Sequence, residues 1–113
     1  ASGPLFPDAF LRMLHRGNMI LNRYYQRSFG MIAQGHAADL VISDYLSPTP
    51  LQTENLAGHM AFGMGAQDVR TVVVNGRIVM EDREFPFDTE EVYRRASESA
   101  KHMWKQMDTL SDT

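Results

Sequence analysis

Two apolar runs, 69–74 and 77–80, flank Asn75-Gly76, and this arrangement constrains the fold more than any other feature of the chain. Both residues of the pair tolerate positive φ, as a two-residue type I′ connection requires, so the sequence predicts an antiparallel hairpin. Val72, Val73 and Val74 are apolar in succession rather than in alternation, which predicts a strand covered on both faces. A hairpin alone is marginal in water, so its cover must come from elsewhere.

A second strand is announced upstream. In 29–42 a glycine, the hydrophobic Ile32, a second glycine and Ala38-Asp39-Leu40 lead into an apolar run. The pattern describes a chain that leaves a helix, turns twice where glycine permits it, and enters a buried strand over 40–45. Ser47-Pro48-Thr49-Pro50 cannot continue that strand, because proline lacks the ladder donor. An irregular connection or single helical turn is expected over 51–58, then a short strand over 59–63.

Helices are expected at both ends. Residues 1–6, with Gly3 and Pro4, read as a loosely held end; Pro7 and Asp8 then give a helix start in which the aspartate accepts free N–H groups. Phe10, Leu11, Leu14, Leu21 and Tyr24 follow near helical spacing. Gly17-Asn18 interrupts them and predicts a kink or two short helices. The helix should stop before Gly30, with Arg23 and Arg27 near its negative end. Near the other terminus Asp88 and Glu91 form a capping box, with Phe87 placed to staple onto Val92. Val92, Ala96, Ala100, Met103, Met107 and Leu110 then mark one apolar face.

Composition excludes several classes. At 113 residues there is room for one small domain, and 43% apolar with 22% charged residues rules out disorder. A net charge of −3, with eleven unclustered Lys and Arg, gives no footprint for nucleic acid. There is no cysteine, hence no disulfide or thiolate site, which fits a reducing compartment. No apolar run approaches a membrane span of about 18 residues and no signal-peptide pattern opens the chain, so a cytoplasmic location is expected. Ala1 in place of methionine points to processing, design or a fragment of something longer.

The order helix, Gly30-x-Ile32-x-x-Gly35, Ala38-Asp39-Leu40-Val41-Ile42, Val-Asn75-Gly76-Arg77 hairpin, helix resembles the C-terminal segment of amidohydrolase-superfamily enzymes of the chlorohydrolase and guanine-deaminase-like kind. Asp44-Tyr45-x-x-Pro48-Thr49-Pro50-Leu51 with Asn55-x-x-Gly58-His59-x-x-Phe62-Gly63 resembles more narrowly the aminohydrolases linked to selenium metabolism. The resemblance covers roughly 15–110. It implies a metal-dependent hydrolase in which a divalent metal, most often zinc, activates water on a (β/α)8 barrel beside a composite β-sandwich-like domain. The metal ligands it implies are an early His-x-His pair, two later histidines and a late aspartate. None of them falls on a residue of this chain.

Read without the resemblance, the candidate sites are sparse. His15, His36, His59 and His102 show no two within four positions, so no metal pair is present in the spacing. Asp39 and Asp44 flank the first strand five positions apart, on opposite faces, which does not suit acid–base work. Asp39 is better read as capping the turn at 35–38. Gly30 and Gly35 make no phosphate loop, and Ser28, Ser43 and Ser47 lack a nucleophile elbow. Met103, Trp104 and Met107 read as core or interdomain packing on a helix that is not basic. Asn55 and His59 remain. His59 is either a pocket-lining or supporting group, or an imidazole satisfying loop backbone groups together with Asn55.

The fold expected is therefore α+β: a small β-sheet, part of a composite β-sandwich-like domain, flanked by an N-terminal helical segment and a C-terminal helix. Residues 1–29 form the helical segment at the end of a barrel, and 30–113 the small β domain with its helix. The expected function is that of a non-catalytic C-terminal portion of a metal-dependent hydrolase acting on C–N bonds, buttressing the barrel. It carries no catalytic, cofactor or metal residue of its own, partners the barrel and N-terminal strands of the parent, and contributes to a homo-oligomer. The alternative is a stand-alone protein-interaction module. In either case uncovered strand edges and apolar faces would make the segment alone dimerise, aggregate or require a partner.

Overall fold

The hairpin forms where its turn residues dictate. In the computed structural model, which describes residues 6–111, β2 (Val69–Val74) and β3 (Arg77–Met80) pair antiparallel. The connection has positive φ at Asn75 (51°) and Gly76 (76°), as a type I′ turn needs. A third strand, β1 (Leu40–Ser43), pairs antiparallel with β2, Leu40 opposite Val73 and Val41 opposite Val72. The sheet order is β1-β2-β3, so β1 and β3 are both edges. With α1 (Pro7–Tyr25), α2 (Thr53–Gly58) and α3 (Thr89–Ser111), the architecture is a small α+β domain.

Several local expectations are corrected. α1 runs unbroken for 19 residues through Gly17-Asn18, since helix formers on either side outweigh the roughly 1 kcal/mol that a helical glycine costs. Asn18 has a different role: its side chain occupies the space a Cβ at Gly30 would need, and Gly30 sits at φ 87°. Asp8 makes no cap. It pairs with Arg12 one turn on, and Pro7 opens the helix behind Phe6. α1 ends at Gln26, in the left-handed region (φ 52°). Arg23 lies in its last turn, whereas Arg27 lies beyond it and donates to Asn75 Oδ1 (2.8 Å).

Asp39 also acts elsewhere than expected. Its carboxylate accepts from the Asn75 N–H (2.6 Å) while the Ala38 carbonyl accepts from the Gly76 N–H (2.9 Å). It therefore caps the β2–β3 turn from the neighbouring strand, not the glycine turn preceding it. Residues 59–63 are not a strand: His59–Gly63 is a π-helical turn continuing α2, followed by a 3-10 turn, Ala66–Asp68. The Asn55 side chain caps α2 and the chain stays helical beyond it, which the apolar content of 59–63 does not reveal. A second tight reversal occurs at Asp82-Arg83 (φ 47° and 67°), where Glu81 and Glu84 exchange both backbone hydrogen bonds (3.0 and 2.8 Å). At α3, Asp88 Oδ1 accepts from the Glu91 N–H (3.1 Å), and the Glu91 carboxylate is taken by Arg94 and Arg95. The Phe87 ring meets Phe85, at 5.3 Å between centroids.

The main departure is in burial. Among the described residues only Ala37, Ala57 and Thr71 are buried. Val41 is 65% exposed and Val74 48%, so the strands expected to be covered on both faces are not. No residue of α1 or α3 is buried, and Met103, Trp104 and Met107 pack into no core. The radius of gyration is 19.9 Å, against about 13 Å for a compact domain of this length. The accessible surface is 9932 Å², against roughly 6,300 Å² for a folded monomer of 12.8 kDa. The sheet and its turns are formed, but their apolar faces have no cover among the described residues.

Candidate functional site

Prolines 48 and 50 organise the most elaborate side-chain cluster. A residue preceding proline is held extended, and both Ser47 and Thr49 precede one. Residues two apart on an extended chain project to the same side, so the two hydroxyls face one point. That point is His59. Its Nε2 lies 3.0 Å from Thr49 Oγ1 and 3.3 Å from Ser47 Oγ, and its Nδ1 lies 2.8 Å from the Tyr45 hydroxyl.

Ser47 Oγ donates to the Thr49 carbonyl (2.5 Å), which spends its only proton. The Tyr45 hydroxyl meets the other ring nitrogen, so hydroxyls flank the imidazole on both sides. A Cβ built at Gly63 would overlap the Tyr45 hydroxyl, so that glycine is what lets the phenol lie over the π-helical turn.

Asn55 fastens the same loop from one turn earlier. Its Oδ1 accepts from the Gln52 N–H (2.8 Å) and its Nδ2 donates to the Pro50 carbonyl (2.9 Å). Asn55 and His59 are four apart on a continuous helical stretch, hence on one face. Asn55 bonds backbone groups, and His59 bonds side-chain hydroxyls. Together they line an open, largely apolar groove of about 690 Å³, with Tyr45, Thr49 and Phe62 among its walls. Phe62 is 83% exposed at its rim.

A second cluster ties the sheet's far end. Arg83 Nη2 donates to Asp44 Oδ1 (2.6 Å) and to the Gln67 carbonyl (3.2 Å), and the Arg83 N–H donates to the Arg70 carbonyl (2.8 Å). The hydrogen bond from Arg83 is the main cause that holds the Asp44 carboxyl below its ordinary value. Asp44 thus serves as an anchor for a positive-φ arginine and stands apart from Asp39, which is at the hairpin turn.

The remaining histidines do not converge. His15 lies on α1, His102 on α3 and His36 in the glycine turn, where its Nδ1 is buried with no hydrogen-bond partner among the described residues. Among the described residues no three His, Cys, Asp or Glu side chains are grouped so as to hold a metal. The metal implied by the resemblance does not fit here, because both nitrogens of His59, the best-placed imidazole, are engaged by hydroxyls. Tyr45 and Thr49 enter the sequence reading only through the subgroup motif and Ser47 only as a rejected nucleophile, none of them as a partner of His59, and Arg83 does not enter it. The doubled hydroxyl–proline step was the available signal for the first cluster; two successive non-glycine residues of positive φ left none for the second.

What this arrangement can do is hold a proline loop, a π-helical turn and a groove in fixed register. A 5-methylthioadenosine/S-adenosylhomocysteine deaminase of Dictyoglomus thermophilum is 34% identical over 99 residues, covering 87% of this chain and 22% of the relative. That of Thermoanaerobacter pseudethanolicus is 36% identical over 80 residues, 70% of this chain and 19% of its own. A 5'-deoxyadenosine deaminase of Methanosarcina mazei is 32% identical over 75 residues, 66% and 17% respectively.

The chain is related to the C-terminal part of amidohydrolase-superfamily deaminases. This amidohydrolase-type segment spans about a fifth of the length of the curated relatives it matches. No family model matches the chain, and no solved structure matches it. Among the described residues, no helix of the segment is long and apolar enough to cross a membrane.

Proposed function

We propose that this segment is the non-catalytic C-terminal portion of a metal-dependent aminohydrolase and that it buttresses the catalytic barrel of its parent. The observation that carries the reading is the uncovered apolar surface. A sheet with finished turns beside two long helices, but only three buried residues among those described, needs a surface to pack on. The area in excess of a folded monomer, roughly 3,600 Å², is the size of an obligate interface. The identity to deaminases over about a fifth of their length supports a parent of that kind.

The parent reaction is proposed as hydrolytic deamination of an adenosine derivative: water adds at the amino-bearing ring carbon and ammonia leaves. The divalent metal belongs to residues outside this segment, and no residue described here takes part in the bond changes. Asn55 and His59 hold the Pro48–Pro50 loop against the barrel side of the domain.

The test is the native polypeptide. Its denatured mass should be several times 12.8 kDa, and it should release ammonia from 5′-methylthioadenosine or S-adenosylhomocysteine. The isolated 113 residues should release none with or without added zinc. A native mass near 12.8 kDa, or metal-dependent turnover by the isolated chain, overturns the reading.

A further inference from the structure

The residue pair that makes the β2–β3 turn is also the step of this chain most open to covalent change. An asparagine amide is attacked by the backbone nitrogen of the next residue, and glycine leaves that nitrogen least hindered. Of the four asparagines only Asn75 precedes a glycine. In the folded turn each group that would react is held by another part of the chain. The Gly76 N–H, whose nitrogen would attack, donates to the Ala38 carbonyl (2.9 Å). Asn75 Oδ1 accepts from Arg27 Nη1 (2.8 Å), and the Asn75 N–H donates to Asp39 Oδ1 (2.6 Å). Arg27 is positioned in turn: its guanidinium lies 5.8 Å from the centroid of the Phe29 ring, and the Phe29 N–H donates to Asn22 Oδ1 on α1 (2.8 Å). A lock therefore runs from the last turn of α1 to the hairpin.

We propose that Asn75 is a deamidation site gated by this lock: it stays an asparagine while the end of α1 is seated against the sheet, and is converted once that seat opens. In the open turn the Gly76 nitrogen gives up its proton and bonds to Asn75 Cγ. The bond from Cγ to the amide nitrogen breaks, ammonia leaves with the proton, and a cyclic imide remains. Water then splits either C–N bond of the imide. One cleavage gives aspartate, which sets a second carboxylate beside Asp39. The other gives isoaspartate, whose main chain runs through the side-chain carbon. That longer path cannot keep the two-residue connection that places Val74 opposite Arg77. The change is one-way, since an opened turn becomes a turn that no longer closes. Chemistry this slow tracks the population of the open form, so weakening the lock speeds it in proportion. The inference does not depend on the deaminase reading, because every group of the lock belongs to this chain.

The test incubates the native polypeptide at mildly alkaline pH and follows the amide-to-acid mass change at Asn75 by peptide mapping. A synthetic peptide of residues 69–80, which has the pair without the lock, is the reference. The native protein should convert at least about tenfold more slowly than the peptide, since its turn must first open. Arg27→Ala should speed conversion by about two- to tenfold, the worth of one hydrogen bond, with hydrogen exchange along β2 unchanged. The fraction carrying isoaspartate should lose protection along β2. If Arg27→Ala itself costs β2 its protection, Asp39→Ala, which releases only the Asn75 N–H, decides in its place with the same expected rise. A native protein that converts as fast as the peptide overturns the proposal, and so does an unchanged rate in the deciding variant. A slower rate in Arg27→Ala overturns it as well, because the guanidinium would then be polarising the amide for attack. An active deaminase that converts rapidly at Asn75 would reject the lock and leave the proposed function standing.

Discussion

At the scale of single residues, the informative ones hold loops rather than react. Gly63 is a glycine because the Tyr45 hydroxyl, itself bonded to His59, lies where a Cβ would be. Gly63→Ala should destabilise the native protein by about 1–3 kcal/mol, in the range of other overpacked sites. Combined with Tyr45→Phe, which removes the overlapping oxygen, the cost should fall short of the sum of the two single changes; chemical denaturation of the four proteins measures the coupling. Strict additivity would show that the phenol does not lie over Gly63. At the other cluster the pH sign is fixed by Asp44. Its carboxyl titrates below the ordinary 3.8, chiefly because Arg83 donates to it. The clamp is thus fully present above about pH 4 and lost as pH falls through the depressed value. Asp44→Asn should therefore flatten the acid limb of the stability–pH curve below pH 4 and leave the neutral plateau's shape unchanged. Neither cluster was legible as a site. His59 and Asn55 stand out in the sequence by residue type, but their hydroxyl and carbonyl partners come from a loop that only the two prolines hint at.

At the scale of elements, turn chemistry was legible where glycine marked it and hidden where it did not. Asn75-Gly76 dictates its hairpin, and Asp88 caps α3 from its own sequence position, because both act on backbone groups within three residues. Asp82-Arg83 adopts the same left-handed conformation with two side chains that ordinarily avoid it, held by contacts to Arg70, Gln67 and Asp44 across the sheet. The left-handed region costs about 1–2 kcal/mol for a residue with a Cβ, less for aspartate. Asp82→Gly should therefore raise stability by about 0.5–1 kcal/mol, since the Asp82 carboxylate makes only a solvent-exposed 3.5 Å pair with Arg70 and its N–H to Thr71 is retained. A higher denaturation midpoint at unchanged denaturant dependence is the result to look for; a lower one would mean that the Arg70 pair outweighs the strain. The short strand expected over 59–63 fails for a related reason. Five residues of mixed apolar content carry no period long enough to separate a strand from a helical turn, and the Asn55 cap four residues earlier decides it.

At the scale of the whole molecule, the segment has the elements of a domain without its interior. On denaturant titration the isolated 113 residues should unfold without a sharp transition and should bind a hydrophobic dye strongly. The same residues within the native polypeptide should be protected from hydrogen exchange along β2, and comparing exchange in the two contexts checks this. A cooperative transition in the isolated chain would mean that its few buried contacts suffice. Sequence by itself determined the three paired strands, the hairpin and its register-setting turn, the α3 cap and the apolar stripes of both long helices, because each depends on residues close together in the chain. Only the tertiary structure decided that Asp39 caps a turn on another strand, that Ser47, Thr49 and Tyr45 converge on His59, and that the stripes face outward. These depend on which distant backbones approach each other, and a stripe of apolar side chains states that it must be covered without naming the surface that covers it.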